Sequence, residues 1–435
     1  MKKNITKYLL LALACLGLQS CLFQEENYFD DSSANRATAD VSRCGELLKG
    51  APNGWVMEYY VGKDYSLGGI TLLCRFDGQR VTMASQMSEA DETVSSLYSV
   101  KSEQATMLSF DTYNYLVHYF GQPQGSMSDD PNGTLGGDYE FIISSASAER
   151  IELKGKKYGN RIVMKALTED QTWKQYLTKI KKVEDDAFFY EYDLLMDGLY
   201  TGQMIRSNYT FIVTYYDEIG KVHQKTVPFM FTADGLRFHE PVTIDGQTMQ
   251  NFVWKNELIS FVCTDEGATG VKLAGVYTAG YQSYDYYPGT YQMDFYRLND
   301  ETGQLEVASQ EVRLLKNEDG KSYWLKGLEY DILVMYDKPR GGLSVSPQLL
   351  EKVQGGYVYL AMWDVMNDYV LRNKSIGLIS YATTNGIYLV DNGVWMGEVS
   401  GFIFGVYNSQ EEDAAFIGYT DAFASIRLVK KTIEE

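Results

Sequence analysis

From Gly54 onward apolar and polar residues alternate with a period of two, the signature of strands with one buried face. The pattern predicts strands at Trp55–Val61, Ile70–Phe76, Arg80–Gln86, Ser96–Lys101, Thr106–Phe110, Asp138–Ile143, Arg150–Gly155 and Arg161–Leu167. Turn signals separate most of them, Asp77-Gly78 and Gly159-Asn160 being the clearest. Before this block the period is helical. Over Ser33–Lys49, Val41, Cys44 and Leu48 share one face, and Gly50 with Pro52 ends the segment. After it, Trp173, Tyr176, Leu177 and Ile180 predict a second helix over Trp173–Val183.

Eight consecutive strands with mostly short connections suit an up-and-down antiparallel sheet. Closing that sheet into a barrel removes both unpaired edges and leaves an interior for side chains or one small ligand. Eight strands followed by a helix is the order of lipocalin-like barrels, so residues 34–183 are expected to form a helix plus an eight-stranded lipocalin-like domain. Ala187–Leu199 reads as a connector. A second β region, 190–265, carries strands at Tyr209–Tyr216, Thr226–Phe231, Leu236–Phe238 and Leu258–Val262. A C-terminal β domain, 270–435, repeats the habit from Thr290–Leu298 to Ala424–Val429, with turns written as Asp300-Glu301-Thr302-Gly303, Glu318-Asp319-Gly320 and Asp391-Asn392-Gly393. The expected class is mainly β, a lipocalin-like eight-stranded antiparallel barrel followed by further antiparallel β barrel or sandwich domains.

Charge narrows the partners. Among 435 residues, 39 Lys and Arg face 58 Asp and Glu, a formal charge of -19. Nothing in that balance would neutralise phosphates or anionic headgroups, so neither nucleic acid nor an anionic membrane surface is an expected partner. A membrane is expected by another route. Lys2, Lys3 and Lys7 precede the apolar run Tyr8–Leu18, which is too short for a helix to cross a hydrocarbon core of about 30 Å. The run ends in Leu18-Gln19-Ser20-Cys21, which resembles a bacterial lipobox. Residues 1–20 therefore read as a lipoprotein signal peptide and Cys21 as the acylated residue, held stably by more than one acyl chain. Residues 21–33 form an acidic tether with Glu25-Glu26 and Asp30-Asp31. Acids beside a lipidated cysteine resemble the export signal that carries lipoproteins to the outer face of the outer membrane; a plain solvated tether is the other reading. The expected address is the outer membrane, lipid-anchored, at the cell surface. Of the remaining cysteines, Cys44 and Cys74 are permitted a bridge in an oxidising envelope, or all three with Cys263 are small buried side chains.

Catalytic motifs are missing. His118, His223 and His239 form no HExxH, no GxSxG or GxGxxG is present in the right context, and Gly320-Lys321-Ser322 lacks the upstream glycine of a phosphate loop. Carboxylate pairs for glycoside hydrolysis lie far apart in sequence and stay open. No catalytic residue, cofactor or metal site is expected. Asp129-Asp130-Pro131-Asn132-Gly133 fails the register of an EF-hand-type loop and reads as a solvated connection.

Two clusters stand out as binding candidates. Asp111, Asn114 and His118, with Tyr113 between them, would meet on one face if that run forms a helical turn. They would orient a ligand at a barrel mouth or tie the loop to the sheet as a buried polar network. Tyr281, Tyr284, Tyr286, Tyr287 and Tyr291 fall within eleven residues, and Trp363 and Trp395 could extend them. Such rings suit stacking against sugar faces, or they are core and interface residues.

Asn53-Gly54-Trp55, Gly68-Gly69, Leu108-Ser109-Phe110-Asp111-Thr112-Tyr113-Asn114, His118-Tyr119-Phe120, Gly137-Asp138-Tyr139-Glu140-Phe141 and Leu153-Lys154-Gly155-Lys156-Lys157 occur in this order. Together, over about Phe29 to Val262, they resemble the Bacteroidota lipoprotein family called domain of unknown function 4302. The resemblance implies lipoproteins often encoded beside an outer-membrane uptake system with a TonB-dependent porter and its SusD-like partner. It implies no catalytic residues. The expected function is a surface-anchored ligand-binding component of nutrient uptake, its ligand a glycan or glycoprotein. A hydrolase of the same locus using carboxylates and a structural or adhesive surface protein are the alternatives.

Overall fold

The computed structural model describes residues 32–124, 133–217, 219–299, 301–411 and 413–431. The signal peptide, Cys21, nearly all of the tether and the Asp129-Asp130-Pro131-Asn132 segment lie outside the described residues. By packing, the chain divides into two compact units. One holds the residues up to Val183 with Asn208–Phe211 and Thr226–Val253; the other holds Glu184–Ser207, Ile212–Lys225 and everything from Trp254. Among the described residues no helix is long and apolar enough to cross a membrane.

The architecture is mainly β, with three closed antiparallel rings of eight strands. The first ring runs in sequence order through β1 (Trp55–Val61), β2 (Gly68–Phe76), β3 (Arg80–Ser85), β4 (Val94–Ser102), β5 (Thr106–Phe110), β6 (Glu140–Ala146), β7 (Arg150–Gly155) and β8 (Arg161–Ala166). It closes by β1 pairing β8, Trp55 opposite Ala166 and Met57 opposite Met164. Its interior is filled. Trp55, Met57, Tyr59, Leu72, Phe110 and Phe141 are among the side chains packed there, so the ring holds a core in the lipocalin-like manner of a small barrel.

Helix α1 (Ser33–Lys49) precedes the ring, and the Ser32 hydroxyl caps it by accepting from the Asn35 amide at 3.2 Å. Cys44 and Leu48 are its buried residues. The Trp55 indole donates to the Leu48 carbonyl at 2.8 Å, so one side chain fills the barrel and satisfies an orphan carbonyl of the helix end. Helix α2 is the single turn Tyr115–His118, and α3 (Trp173–Asp186) buries Leu177, Ile180 and Val183. Cys44, Cys74 and Cys263 are separate buried thiols.

Hydrogen bonds from buried polar groups fix the loops at one end of the first ring. Asp138 accepts from the Lys157 and Tyr158 amides at 2.7 and 3.1 Å, and Tyr59 donates to the Asp138 carbonyl at 2.8 Å. Gly155 makes room for this carboxylate, since a Cβ there would lie 2.0 Å from Asp138 Oδ2. The Asn160 amide donates to the carbonyls of Tyr60, Gly62 and Gly136 at 3.3 to 3.4 Å.

The second ring contains β9 (Glu191–Met196), β10 (Leu199–Ser207), β11 (Thr210–Tyr216), β12 (Val222–Phe231), β13 (Gly235–Ile244), β14 (Gln247–Lys255), β15 (Ser260–Cys263) and β16 (Val271–Val276). Here the sequence reading needs correction: β9 and the start of β10 occupy the expected connector, and β14 and β16 were not anticipated. β9 alternates cleanly, with Tyr192, Leu194 and Met196 buried, but the adjacent Phe188, Phe189 and Leu195 blur that period. β16 carries Ala274 and Gly275, poor strand formers, and is held by pairing β9, Val271 opposite Met196 and Leu273 opposite Leu194.

The third ring is formed by β17 (Gly289–Leu298), β18 (Leu305–Lys316), β19 (Ser322–Lys326), β20 (Ile332–Asp337), β21 (Gly342–Val345), β25 (Leu378–Thr383), β26 (Gly386–Asp391) and β28 (Phe416–Lys430). The strands β22 (Gln348–Val353), β23 (Gly356–Asp364), β24 (Tyr369–Leu371) and β27 (Gly401–Tyr407) extend the sheet beyond it. β28 serves both parts: Phe416 to Ala424 pair with β27, and Arg427 to Lys430 close the ring on β17.

Because the Asn160 side chain ties the end of β1, at Tyr60 and Gly62, to the loop at Gly136, Asn160→Ala is expected to destabilise the first unit by about 2 kcal/mol. The urea midpoint reports this, and a loss below about 0.5 kcal/mol would show the loops to be fixed by other contacts.

Candidate functional site

β17 points Tyr291, Met293 and Phe295 into the core and Gln292, Asp294 and Tyr296 away from it. β28 cannot run straight beside this strand. Ser425 adopts φ 51°, a left-handed conformation unusual for a residue with a Cβ, and its amide donates to the Ser400 carbonyl at 2.7 Å. The β17–β28 register shifts between Asp294 and Tyr296 at the same place. A bulge re-aims side chains and bends the sheet, and here an open groove of about 770 Å³ lies over it.

The groove floor carries a row of cross-strand neighbours. Arg427 stands opposite Asp294 on one side and opposite Tyr388 of β26 on the other. Arg427 donates to Asp294 Oδ2 through Nη2 at 2.8 Å and Nε at 3.3 Å, and Gln292 donates to Asp294 Oδ1 at 3.1 Å. The hydrogen bond from Arg427 holds the Asp294 carboxyl below its usual range, so it is an anion at neutral pH. Asp391 at the rim organises its own turn, accepting from the Gly393 and Val399 amides. Tyr296 remains 42% exposed, next to Val307 at 79%, which is its partner across the β17–β18 pair.

An exposed phenol face beside a fixed ion pair and a carboxamide can stack on an apolar ring face and hydrogen-bond its hydroxyls. A general acid needs a carboxyl with raised proton affinity, and Asp294, shifted down by Arg427, does not have it; Asp391 is committed to backbone amides, and Glu398 is the third carboxylate of the lining.

The residues singled out in the sequence fall elsewhere. Tyr287 is 1% exposed and donates to the Gly341 carbonyl at 2.8 Å. Tyr284 is half-buried, stacked on Tyr323 at 4.7 Å with its hydroxyl on the Ser322 carbonyl. Tyr281 is half-buried and accepts from Tyr336 at 3.1 Å. Tyr286 is the exposed member, edge-on to Tyr287 with the Lys430 ammonium over its ring. Trp363 is 6% exposed in a small cluster with Ala361, Ile403, Ala422 and Ala424, and the half-buried Trp395 donates to Asp364 at 3.0 Å. The structure therefore brings Tyr281, Tyr284, Tyr286 and Tyr287 near one another at the edge of a core, largely by hydrogen bonds to backbone.

The polar run does form a helical turn. Asn114 caps α2, accepting from the Leu116 amide at 3.1 Å and donating to Ser96 at 3.2 Å, and His118 Nδ1 lies 3.2 Å from the Asn114 amide. Asp111, just outside the turn, is drawn instead to Ser99 at 3.1 Å. Tyr113 is 63% exposed and lies 5.5 Å from the His118 ring, which stacks on Tyr139 at 4.6 Å.

Sequence reasoning missed Asp294, Tyr296, Tyr388 and Arg427. The alternation within Thr290–Leu298 already put Asp294 and Tyr296 on one face; the pairing that sets Arg427 beside them joins strands more than a hundred residues apart.

Comparison with known proteins adds context. The family model of a domain of unknown function, DUF4302, matches residues 25–256, and that of a second domain of unknown function, DUF4987, matches residues 264–404. No curated protein matches the chain. Similar solved structures include a protein of unknown function from the DUF3598 family of Nostoc punctiforme, at 8% identity over 57% of this chain and 98% of that one, with a TM-score of 0.14. Another is a mutant of the vaccine antigen transferrin binding protein B from Haemophilus parasuis, at 11% identity over 87% of this chain and 75% of that one, with a TM-score of 0.13.

Tyr284→Ala is expected to lower stability by about 2 to 3 kcal/mol, since it removes a packed ring and a backbone hydrogen bond. Tyr286→Ala should cost less than about 1 kcal/mol, its ring being exposed. Parallel thermal melts check the contrast, and equal losses would contradict the placement of these two rings.

Proposed function

We propose that this chain, which belongs to the DUF4302 family, is a lipid-anchored outer-membrane protein that captures a glycan or glycoprotein for a nutrient-uptake system. Cys21 carries the anchor, the cell surface is the address, and a TonB-dependent porter with a SusD-like protein is the partner machinery. The observation that supports capture is the groove over β17, β26 and β28. Exposed Tyr296 offers a stacking face there, and Gln292, Asp294 and Arg427 offer fixed donors and acceptors beside it. Open grooves of this kind suit a chain-like ligand that enters from the side.

Incubation of the purified protein with mucin, plant and host glycans tests the reading, with affinity-gel retardation and release of smaller products followed in the same samples. Retardation without products is expected, and Tyr296→Ala should weaken it about five- to tenfold, the worth of one stacking ring. Product release would replace this reading with hydrolysis; silence on both would direct attention to a protein ligand. For the anchor, radiolabelled fatty acid should enter the wild-type protein in cells and be absent from Cys21→Ala.

A further inference from the structure

Strand β1 is buried on both faces. Trp55, Met57, Tyr59 and Val61 belong to the barrel core. Glu58 and Tyr60 occupy the alternate, outward positions, yet are only 6% and 3% exposed. The outward face of a barrel strand ordinarily meets water. Here, within the same compact unit, Arg237 and His239 of β13 lie against it. Glu58 is paired twice, accepting from Lys165 at 2.8 Å and from Arg237. Tyr65, Arg161 and Glu240 help to complete a pocket of about 470 Å³ around these groups.

Two buried polar atoms in this pocket, the Tyr60 hydroxyl and Arg237 Nε, complete no hydrogen bond of normal geometry, although the Arg237 guanidinium comes close enough to the phenol to act on it. Buried polar atoms in folded proteins are nearly always paired, so two on one wall ask for an explanation. Arg237 Nε–H can only donate, and the Tyr60 hydroxyl can donate as well. Burial raises the phenol's pKa far above its ordinary range, keeping it protonated. His239 is wedged between Tyr60 and Tyr65, ring centroids 4.3 and 3.9 Å away, and burial holds its imidazole below the usual range. The neutral ring offers one donor and one acceptor nitrogen.

Charge and size define what would fit. The lining holds Arg150, Arg161 and Arg237 against Glu58 and Glu240, and with the directly bonded partners Glu152, which accepts from Arg150 and Arg161 at 3.1 Å, and Lys165, which donates to Glu58, one positive charge remains in excess on a chain whose formal charge is -19. One excess charge suits a monoanion; a dianion would leave a charge uncompensated in a partly desolvated site. The volume lies within the range of about 300 to 1,000 Å³ typical of small-molecule sites. Apart from the rings, the walls are mostly hydrogen-bonding groups, which suit a hydroxylated ligand better than an apolar one.

We propose that this pocket binds a small sugar acid, its carboxylate received by the Tyr60 hydroxyl and Arg237 Nε–H and its hydroxyls by the surrounding polar side chains. The site is separate from the groove of the third ring and does not rest on the reading given to it.

Calorimetric titration and thermal melts of the whole protein with galacturonate and glucuronate test the assignment, with galactose and inorganic phosphate as the neutral and dianionic comparisons. Either sugar acid should bind and raise the melting temperature, while galactose and phosphate bind at least tenfold more weakly. Tyr60→Phe removes only the unpaired hydroxyl. It should leave the melting temperature of the free protein unchanged or higher, and weaken sugar-acid binding at least tenfold. A hydroxyl with a purely structural role would lower the melting temperature instead. Tyr296→Ala should bind the sugar acid as wild type does, so failure in the groove and failure here are separable. The proposal falls if neither sugar acid binds at millimolar concentration, which would mean that the pocket holds water only. It falls equally if galactose or phosphate binds as well as the acids, or if Tyr60→Phe binds like wild type.

Discussion

An unpaired strand edge is the constraint on which this structure depends. A chain with so many short strands would expose edges open to pairing with another chain, and each of its three β rings removes that exposure by joining its first strand to its last. Trp55 meets Ala166, Met196 meets Val271, and Tyr291 meets Lys430. Each closure joins strands separated by many residues, so its loop entropy is recovered only when the whole ring is in place. The interior of the first ring is then committed to packing. Trp55, Tyr59 and Phe141 occupy space in which a wider barrel would hold a ligand. Recognition is left to the outer faces and the places where a strand bends.

Both candidate sites follow from that displacement. In the third ring the stress falls on β28, which must serve a closed ring and an attached sheet at once. The left-handed Ser425 is the hinge between its two pairings, and Asp294, Arg427 and Tyr388 line up beside it because three strands meet there in register. Near the first ring the same principle acts through β1. Its inward residues are spent on the core, and its outward Glu58 and Tyr60 become buried walls once β13 covers them. A twice-paired Glu58 is a reasonable way to bury a carboxylate, since each cation offsets part of the carboxylate's desolvation.

Much of the fold was legible because the first ring obeys local rules. Period-two alternation located all eight of its strands, and Asp77-Gly78 marked a turn in which the Asp77 carboxylate accepts from the Gln79 and Arg80 amides. The second ring was harder for a stated reason. β9 alternates, but the adjacent Phe188, Phe189 and Leu195 blur its period, and β16 includes Ala274 and Gly275, whose strand conformation is imposed by the neighbour rather than by propensity. The sites were harder still. Tyr281, Tyr284 and Tyr287 drew attention by density, but clustered tyrosines in a β protein can satisfy both core and backbone at once, as their bonds to Tyr336, Ser322 and Gly341 do here. Arg427 and Arg237 gave no local signal, because their partners Asp294 and Glu58 lie 133 and 179 positions away.

The charge of the chain gives these two arginines their importance. At a formal -19, most of the surface repels anions, and electrostatic steering would turn acidic molecules away. An anion can be received only where cations are concentrated and shielded from that field, as they are beside β1. Arg427 is different: Asp294 neutralises it within the groove, whose lining also holds Asp391 and Glu398, so that surface disfavours anions and offers a neutral ligand dipoles and a ring face. The two surfaces are therefore suited to different chemistry, neutral hydroxylated rings in the groove and a single carboxylate in the pocket. One acidic chain can present both because the charges around each surface are set by its own neighbouring side chains rather than by the net charge of the chain.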